Sequence, residues 1–208
     1  VCGRLMRAIA RDCVTSITVR PLPGVSTHTL LIAAISDLHS RSMDRFERAR
    51  VLIEEADRRT PRHGLAQAWL AKWRIMRVQK ALSPDPQGDR EKALDHAKRA
   101  LDADPGCGLA HAMEGFVHSH LLCRPDVAER CYGAALEENP SDAFSWLLRG
   151  VTYAFQDKGE EAIHYTEKAR RLSPLDPEGY YFDSLCASAY LTGGAYERAL
   201  ELADLSLR

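Results

Sequence analysis

The chain has 208 residues, of which 45% are hydrophobic and 27% are charged, proportions typical of a folded globular protein. Its 28 lysines and arginines nearly balance 29 aspartates and glutamates, and a net charge of -1 argues against a dedicated nucleic-acid binder. No run of about 18 apolar residues could cross a membrane. The 6 cysteines are too sparse for a secreted disulfide scaffold, so we expect free thiols and a cytoplasmic location.

The first 24 residues differ from the rest of the chain. Residues 1–14 are predicted to form a helix, because their apolar positions fall on one helical face. The segment TVRPLPGVST then predicts an extended, proline-rich connector, since proline restricts its own backbone and that of the residue before it. We assign residues 1–24 to the end of an upstream region and expect the chain to be a piece of a longer protein.

Residues 25–208 contain a phrase that recurs and ends in proline. EEADRRTP, KRALDADP, GAALEENP and EKARRLSP close at Pro61, Pro105, Pro140 and Pro174, at intervals of 44, 35 and 34 residues. Each phrase holds an alanine with a second alanine seven residues earlier, so two small residues lie two turns apart on one helix face. A second helix can pack closely there, and the proline ends the helix.

The fourth copy, residues 141–174, also has a patterned first helix. Trp146, Gly150 and Tyr153 lie on one stripe of it. In the second copy we align Trp69, Trp73 and Met76 with these three positions. A tryptophan in place of the glycine should hold the two helices of that copy apart. The predicted repeats are about 27–61, 65–105, 108–140, 141–174 and 178–208.

A helix–turn–helix unit of 34 residues with these features resembles the tetratricopeptide repeat. The landmark positions that match are Trp146, Gly150, Tyr153, Ala162, Ala169 and Pro174. The resemblance implies an all-α fold, a right-handed α–α superhelix of about five repeats. The first helices of such arrays line a concave groove that binds peptides, helices or other domains.

Several phrases narrow the resemblance. VCGRLMRAIARD, QAWLAKW, GFVHSHLL and RLSPLDPEGYYFDSL are similar to the carboxy-terminal repeat regions of bacterial multidomain signalling proteins. In those proteins the repeats follow a class III adenylate or guanylate cyclase domain or a winged-helix transcriptional regulator domain, often with a TolB-like region between. The resemblance implies a non-catalytic protein-interaction module of a bacterial regulatory protein. Any cyclase activity would belong to an upstream domain.

A cluster of thiols and imidazoles supports an alternative, a metal- or thiol-dependent enzyme, because zinc uses such ligands. It spans residues 107–131 and consists of Cys107, His111, His118, His120, Cys123 and Cys131. The repeat frame sends these side chains in several directions: His111 and His118 align with Trp146 and Tyr153, and Cys131 aligns with the packing residue Tyr165. No CxxC or HExxH pattern is present. We therefore expect no metal, cofactor or small-molecule substrate.

The groove of the predicted array would be lined by residues of the first helices. The candidate partner-binding residues are Lys72, Arg77, Phe116, Ser119, His120, Val151 and Phe155. The alternative is that these side chains merely pack on the next repeat. The last helix, Ala199–Arg208, has no polar capping helix after it in this sequence, so we also expect a homodimer through this edge. The expected partners are proteins or peptides, with no nucleic acid and no membrane.

Overall fold

A computed structural model describes residues 2–19, 21–40, 42–61, 64–174 and 179–207. Within these ranges the chain is helical and contains no strand. The helices are α1 (Cys2–Val19), α2 (Thr27–Leu38), α3 (Met43–Arg59), α4 (Gly64–Gln79), α5 (Pro86–Ala103), α6 (Gly108–Phe116), α7 (Pro125–Glu138), α8 (Ala143–Ala154), α9 (Gly159–Leu172), α10 (Gly179–Thr192) and α11 (Tyr196–Ser206). A 3₁₀ turn, Leu22–Gly24, precedes α2, and a π-helical turn, Val117–Leu121, follows α6. Val1, Arg208 and residue 178, where the fifth repeat is predicted to begin, lie outside the described residues.

The chain divides into two compact units, Val1–Met113 and Glu114–Arg208. In the first unit, α2 packs on α3 and α4 packs on α5. In the second unit, α8 packs on α9 and α10 packs on α11. The predicted division into an upstream region and five repeats stays a prediction.

Proline positions determine where the second helix of each pair ends. Helices α3, α5, α7 and α9 end at Arg59, Ala103, Glu138 and Leu172, two residues before a proline in every case. The proline stops are therefore confirmed.

The helix starts are capped by short polar side chains: Ser42 Oγ accepts from the Arg45 amide, and the Asp142 carboxylate accepts from the Ser145 amide.

The paired alanines are the closest-packed part of each helix pair. All of them are at most 1% exposed: Ala49, Ala56, Ala93, Ala100, Ala128, Ala135, Ala162 and Ala169. Across from them, a Cβ atom added to Gly150 would lie 2.6 Å from Thr166 Cγ2 and 3.0 Å from the Ala162 carbonyl oxygen. Small residues on both faces thus let α8 and α9 approach each other, as the sequence predicted.

The alignment of the second copy was wrong by two residues. Trp73 is buried but faces α3, where its indole N–H donates to the Phe46 carbonyl at 3.0 Å and its ring stacks on Phe46. Two of the α4 side chains that reach α5 are Gln67, which bonds to His96, and Arg74, which binds Asp89. Fully buried Ala71 lies between them on the same face, so a small residue occupies the close-approach position after all.

Helix α1 is longer than the sequence indicated. It continues to Val19, through the first residues of the segment expected to be extended. The Thr15 hydroxyl donates to the Arg11 carbonyl and the Thr18 hydroxyl to the Thr15 carbonyl, so both threonines are accommodated within the helix. Of the described residues after α1, Pro21 comes first and precedes the 3₁₀ turn Leu22–Gly24.

Candidate functional site

Two of the predicted partner-binding residues belong to the first unit and are engaged there. Lys72 is only 3% exposed, and its ammonium lies 5.0 Å from the Trp69 ring centroid. Arg77 stacks over Trp73 and forms an ion pair with Asp89 at 3.3 Å. Lys72 thus packs within α4, and Arg77 packs within α4 and pairs with α5.

Phe116 and Val151 do not face a groove. Both side chains are fully buried. Each follows the landmark glycine of its helix, and the Phe116 ring meets Phe144 of α8 edge-on at 6.3 Å. For Phe116, the alternative of packing on the next helix pair describes the structure.

The remaining three predicted residues, Ser119, His120 and Phe155, come together around an inserted residue. The turns after the first helices each contain one residue with positive φ, and these are Cys123, Asp157 and Gly194 in the last three helix pairs. The spacing from Gly150 to Asp157 is 7 residues, whereas the spacing from Gly115 to Cys123 is 8. The extra residue is absorbed by the π-helical turn, in which the Leu122 amide donates to the Val117 carbonyl five residues earlier.

This π-helical turn carries a buried chain of hydrogen bonds. Tyr132 of α7 is fully buried, and its hydroxyl lies 2.9 Å from Ser119 Oγ. Ser119 Oγ in turn lies 2.7 Å from Nδ1 of His120, but 3.4 Å from the Phe116 carbonyl. Both short bonds are satisfied when Tyr132 donates to Ser119 and Ser119 donates to Nδ1, which puts the imidazole proton on Nε2. The reverse chain, in which Nδ1–H donates to Ser119 and Ser119 donates to Tyr132, fits the same distances and leaves Nε2 as an acceptor.

The His120 ring lies between two aromatic rings. The Phe116 centroid is 4.3 Å away and the Phe155 centroid 4.9 Å away, both in edge-to-face geometry. Burial lowers the pKa of His120 to about 3. Its Nε2 atom is buried and has no hydrogen-bond partner among the described residues. The neutral imidazole of His120 is therefore held between Phe116 and Phe155, with its Nε2 atom lacking a hydrogen-bond partner.

Phe155 ends a row of aromatic side chains in the second unit. The row consists, in order of contact, of Phe155, His120, Phe116, Phe144, Tyr181 and Tyr180. Its members come from the π-helical turn and from α6, α8 and α10, which are first helices of their pairs. Phe155 is 60% exposed and Tyr180 is 38% exposed, so the two ends of this aromatic row are accessible.

Three further members of the cluster at residues 107–131 are buried or engaged in a local hydrogen bond. His111 Nε2 lies 3.2 Å from the Pro105 carbonyl, just as the Trp146 indole donates to the Pro140 carbonyl at 2.9 Å. Burial raises the pKa of the Cys107 thiol, and that of Cys131 to about 12. Among the described residues, no group of three or more His, Cys, Asp or Glu side chains is placed to hold a metal ion.

Sequence reasoning missed Tyr132 and Phe144 as parts of this site. The alignment that matched Ala128 with Ala162 also matches Tyr132 with Thr166, and a larger residue there was a usable signal. The interval of 35 residues between Pro105 and Pro140, against 34 for the next interval, was the second signal, because it reports the inserted residue.

Comparison with solved structures identifies the fold. A TPR protein of Thermus thermophilus superposes with a TM-score of 0.66 at 20% identity, over 88% of this chain and 90% of that one. The chain has the tetratricopeptide-repeat fold. The APC/C hetero-tetramer Cut9–Hcn1 gives a TM-score of 0.65 at 16% identity, covering 99% of this chain and 36% of the other. PilF of Pseudomonas aeruginosa gives 0.57 at 17% identity, with 87% and 75% covered.

Sequence comparison adds less than the fold does. No family model matches the chain. Human superkiller complex protein 3 is 26% identical over 139 residues, which are 61% of this chain and 9% of that protein. The chain therefore spans about a tenth of the length of this relative. Within the described tetratricopeptide helices, none is long and apolar enough to cross a bilayer.

Proposed function

We propose that the chain is a non-catalytic protein-interaction module that binds an extended peptide segment of a partner along the aromatic row. The observation that carries the proposal is Phe155, an aromatic side chain 60% exposed at the end of a first helix. Large exposed aromatic residues in contact with further rings are typical of protein-binding surfaces.

The spacing of the row supports an extended occupant. At the end of the row that Tyr180 forms, the centroids of Phe144 and Tyr181 are 6.3 Å apart and those of Tyr181 and Tyr180 are 6.5 Å apart. Alternate side chains of an extended peptide point to the same side and repeat about every 6.6 Å. A helical partner would instead present side chains on one face only at about 5.4 Å per turn.

A random-peptide phage library selected on the chain tests this function. We expect enriched peptides to carry apolar residues at alternate positions and to bind the Phe155→Ala variant at least ten-fold more weakly, about 1.4 kcal/mol. Leu191→Ala is the matched control, because Leu191 is also 60% exposed but lies outside the aromatic row. Equal loss in both variants, or no loss in either, would contradict the proposal.

Self-association is a second candidate, supported by one face of α11. Tyr196 and Leu200, one turn apart on that helix, are each 65% exposed. A second copy of the chain could cover this apolar stripe. Sedimentation equilibrium tests it: a dimer in the wild type that dissociates with Leu200→Glu supports the candidate, and a monomer at all concentrations refutes it.

We further propose that this module serves a bacterial regulatory protein in a reducing compartment such as the cytoplasm. The support is the similarity to signalling-protein repeat regions and the free state of Cys13, Cys107, Cys123, Cys131 and Cys186. The sequence of the open reading frame upstream of Val1 tests the regulatory context directly: a cyclase or winged-helix domain there supports it, and any other domain refutes it.

A further inference from the structure

The π-helical turn places a buried imidazole nitrogen without a hydrogen-bond partner at the aromatic row. The hydrogen bonds of Tyr132 and Ser119 orient the His120 ring through Nδ1, and with Ser119 as the donor to Nδ1 the imidazole proton is on Nε2. That atom is buried without a partner, although a buried polar group normally finds one. Leaving such a group unsatisfied has a free-energy cost, which a ligand that supplies the missing acceptor would remove.

Of the two aromatic rings that contact His120, only Phe155 is free to move aside. Phe116 is fully buried, so its ring is fixed by the packing of α6. Phe155 caps the C-terminal end of α8, meets the His120 ring in edge-to-face geometry and is 60% exposed. A change of the Phe155 rotamer would uncover the His120 ring without disturbing the core.

We propose that His120 donates its Nε2–H to a main-chain carbonyl of the bound peptide, with Phe155 as a movable cover that then packs on the adjacent apolar side chain of that peptide. This inference rests on the proposed function and deepens it, because it names the atom that recognises the peptide backbone. It also gives the inserted residue a role, since the regular repeat formed by α8 and α9 has no histidine in the equivalent place.

The acceptor is a neutral carbonyl and not a carboxylate. Because burial holds the pKa of His120 at about 3, the imidazole carries no positive charge near neutral pH. A carboxylate brought against Phe116 and Phe155 would lose its hydration without gaining a counter-charge. Burying an amide carbonyl costs less free energy, and a single hydrogen bond offsets that cost.

The test uses a peptide selected as above and compares three variants of the chain. His120→Phe keeps an aromatic ring in the row but removes the donor, and we expect it to weaken binding about ten-fold. Phe155→Ala reports the aromatic row, and Leu191→Ala is the control. Replacing the contacted amide of the peptide by an ester, a weaker acceptor, should lower affinity for the wild type but not for His120→Phe.

The outcomes separate the two proposals. Peptides that need Phe155 but bind His120→Phe as tightly as the wild type overturn the inference and leave the proposed function standing. A library that yields no peptide dependent on Phe155 overturns both. A preference for peptides whose carboxylate raises the pKa of His120 on binding overturns the neutral acceptor.

If His120→Phe does not fold, the imidazole Hε2 resonance of the wild type decides instead: a downfield shift on peptide addition supports the inference, and an unchanged shift overturns it.

Discussion

Two neighbouring repeats of the second unit differ by one inserted residue and by the size of one buried side chain. In the repeat formed by α8 and α9, Gly150 packs against Thr166, whose hydroxyl donates to the Ala162 carbonyl four residues earlier on its own helix. In the repeat that contains the π-helical turn, Gly115 packs against Tyr132, whose hydroxyl reaches across to Ser119. In the first arrangement the shortest hydrogen bond of the threonine hydroxyl stays within its own helix. The second connects two elements and ends at a histidine, so one insertion has turned a packing position into a candidate recognition site.

The largest expected effect comes from truncating the buried residue that distinguishes the two repeats. Tyr132→Ala removes a fully buried ring and its hydrogen bond, and we expect it to lower the free energy of unfolding by about 3–5 kcal/mol. Thr166→Ala should cost only about 1–2 kcal/mol, because a single methyl and a local hydrogen bond are lost. Urea unfolding at neutral pH measures both, and equal costs would contradict the contrast.

Replacing Gly115 and Gly150 with alanine tests the difference between the two repeats through overpacking. A Cβ at Gly150 meets the Thr166 backbone nitrogen at 2.9 Å, whereas the three atoms nearest to a Cβ at Gly115 all belong to the Tyr132 side chain, the first at 2.7 Å. Each alanine should cost roughly 2–3 kcal/mol through overpacking. The cost at residue 115 should disappear in a Tyr132→Leu background, while the cost at residue 150 should persist in a Thr166→Ser background. Unfolding of the two alanine variants, the two background variants and the two double variants supplies the test, and persistence of the cost at residue 115 would be the contrary result.

Lowering the pH should destabilise the chain, because two buried histidines are neutral in the folded state. Burial lowers the pKa of His96 to about 4 and of His120 to about 3, against about 6.5 in an unfolded chain. The unfolded state therefore binds more protons below pH about 6.5, and stability is lost as the pH falls from there toward 3. At pH 5 each histidine accounts for about 2 kcal/mol of that loss. In His120→Phe, the loss between pH 7 and 5 should be about 2 kcal/mol smaller than that of the wild type; an undiminished loss would contradict the burial of His120.

The smallest effect concerns the turns. Cys123 and Asp157 both have φ near +55°, at 53° and 59°, a conformation that glycine adopts without strain and that Gly194 occupies in the last repeat. Cys123→Gly should stabilise the chain by about 1 kcal/mol. Asp157→Gly should gain less, because aspartate tolerates this conformation better. Thermal unfolding at one protein concentration measures both, and a destabilised Cys123→Gly would show that the two turns are not equivalent.

The fold was largely predictable from the sequence, because the features that determine it are local. Pro61, Pro105, Pro140 and Pro174 stop helices wherever they occur, and alanines seven residues apart indicate a close-packed face. The equivalence of His111 and Trp146 was also visible, and both rings bind the carbonyl of the preceding proline.

The site was less predictable, because it depends on which neighbour a helix face meets. Phe116 and Val151 were assigned to an open groove, and only three-dimensional packing shows that α6 and α8 bury them. Trp73 was misaligned because the long loop between α4 and α5 hides the register of its repeat. The inserted residue was countable in the sequence, but its position within the helix follows only from the π-helical hydrogen bonds.

The protonation of His120 in the free chain is the most direct test of the central claim. Long-range ¹H–¹⁵N correlation spectra of the imidazole distinguish the two neutral tautomers from the cation. We predict that at pH 5 His120 is neutral with its proton on Nε2, while free histidine added as a reference is largely protonated. A protonated His120 at pH 5, or a neutral ring with its proton on Nδ1, would contradict the account.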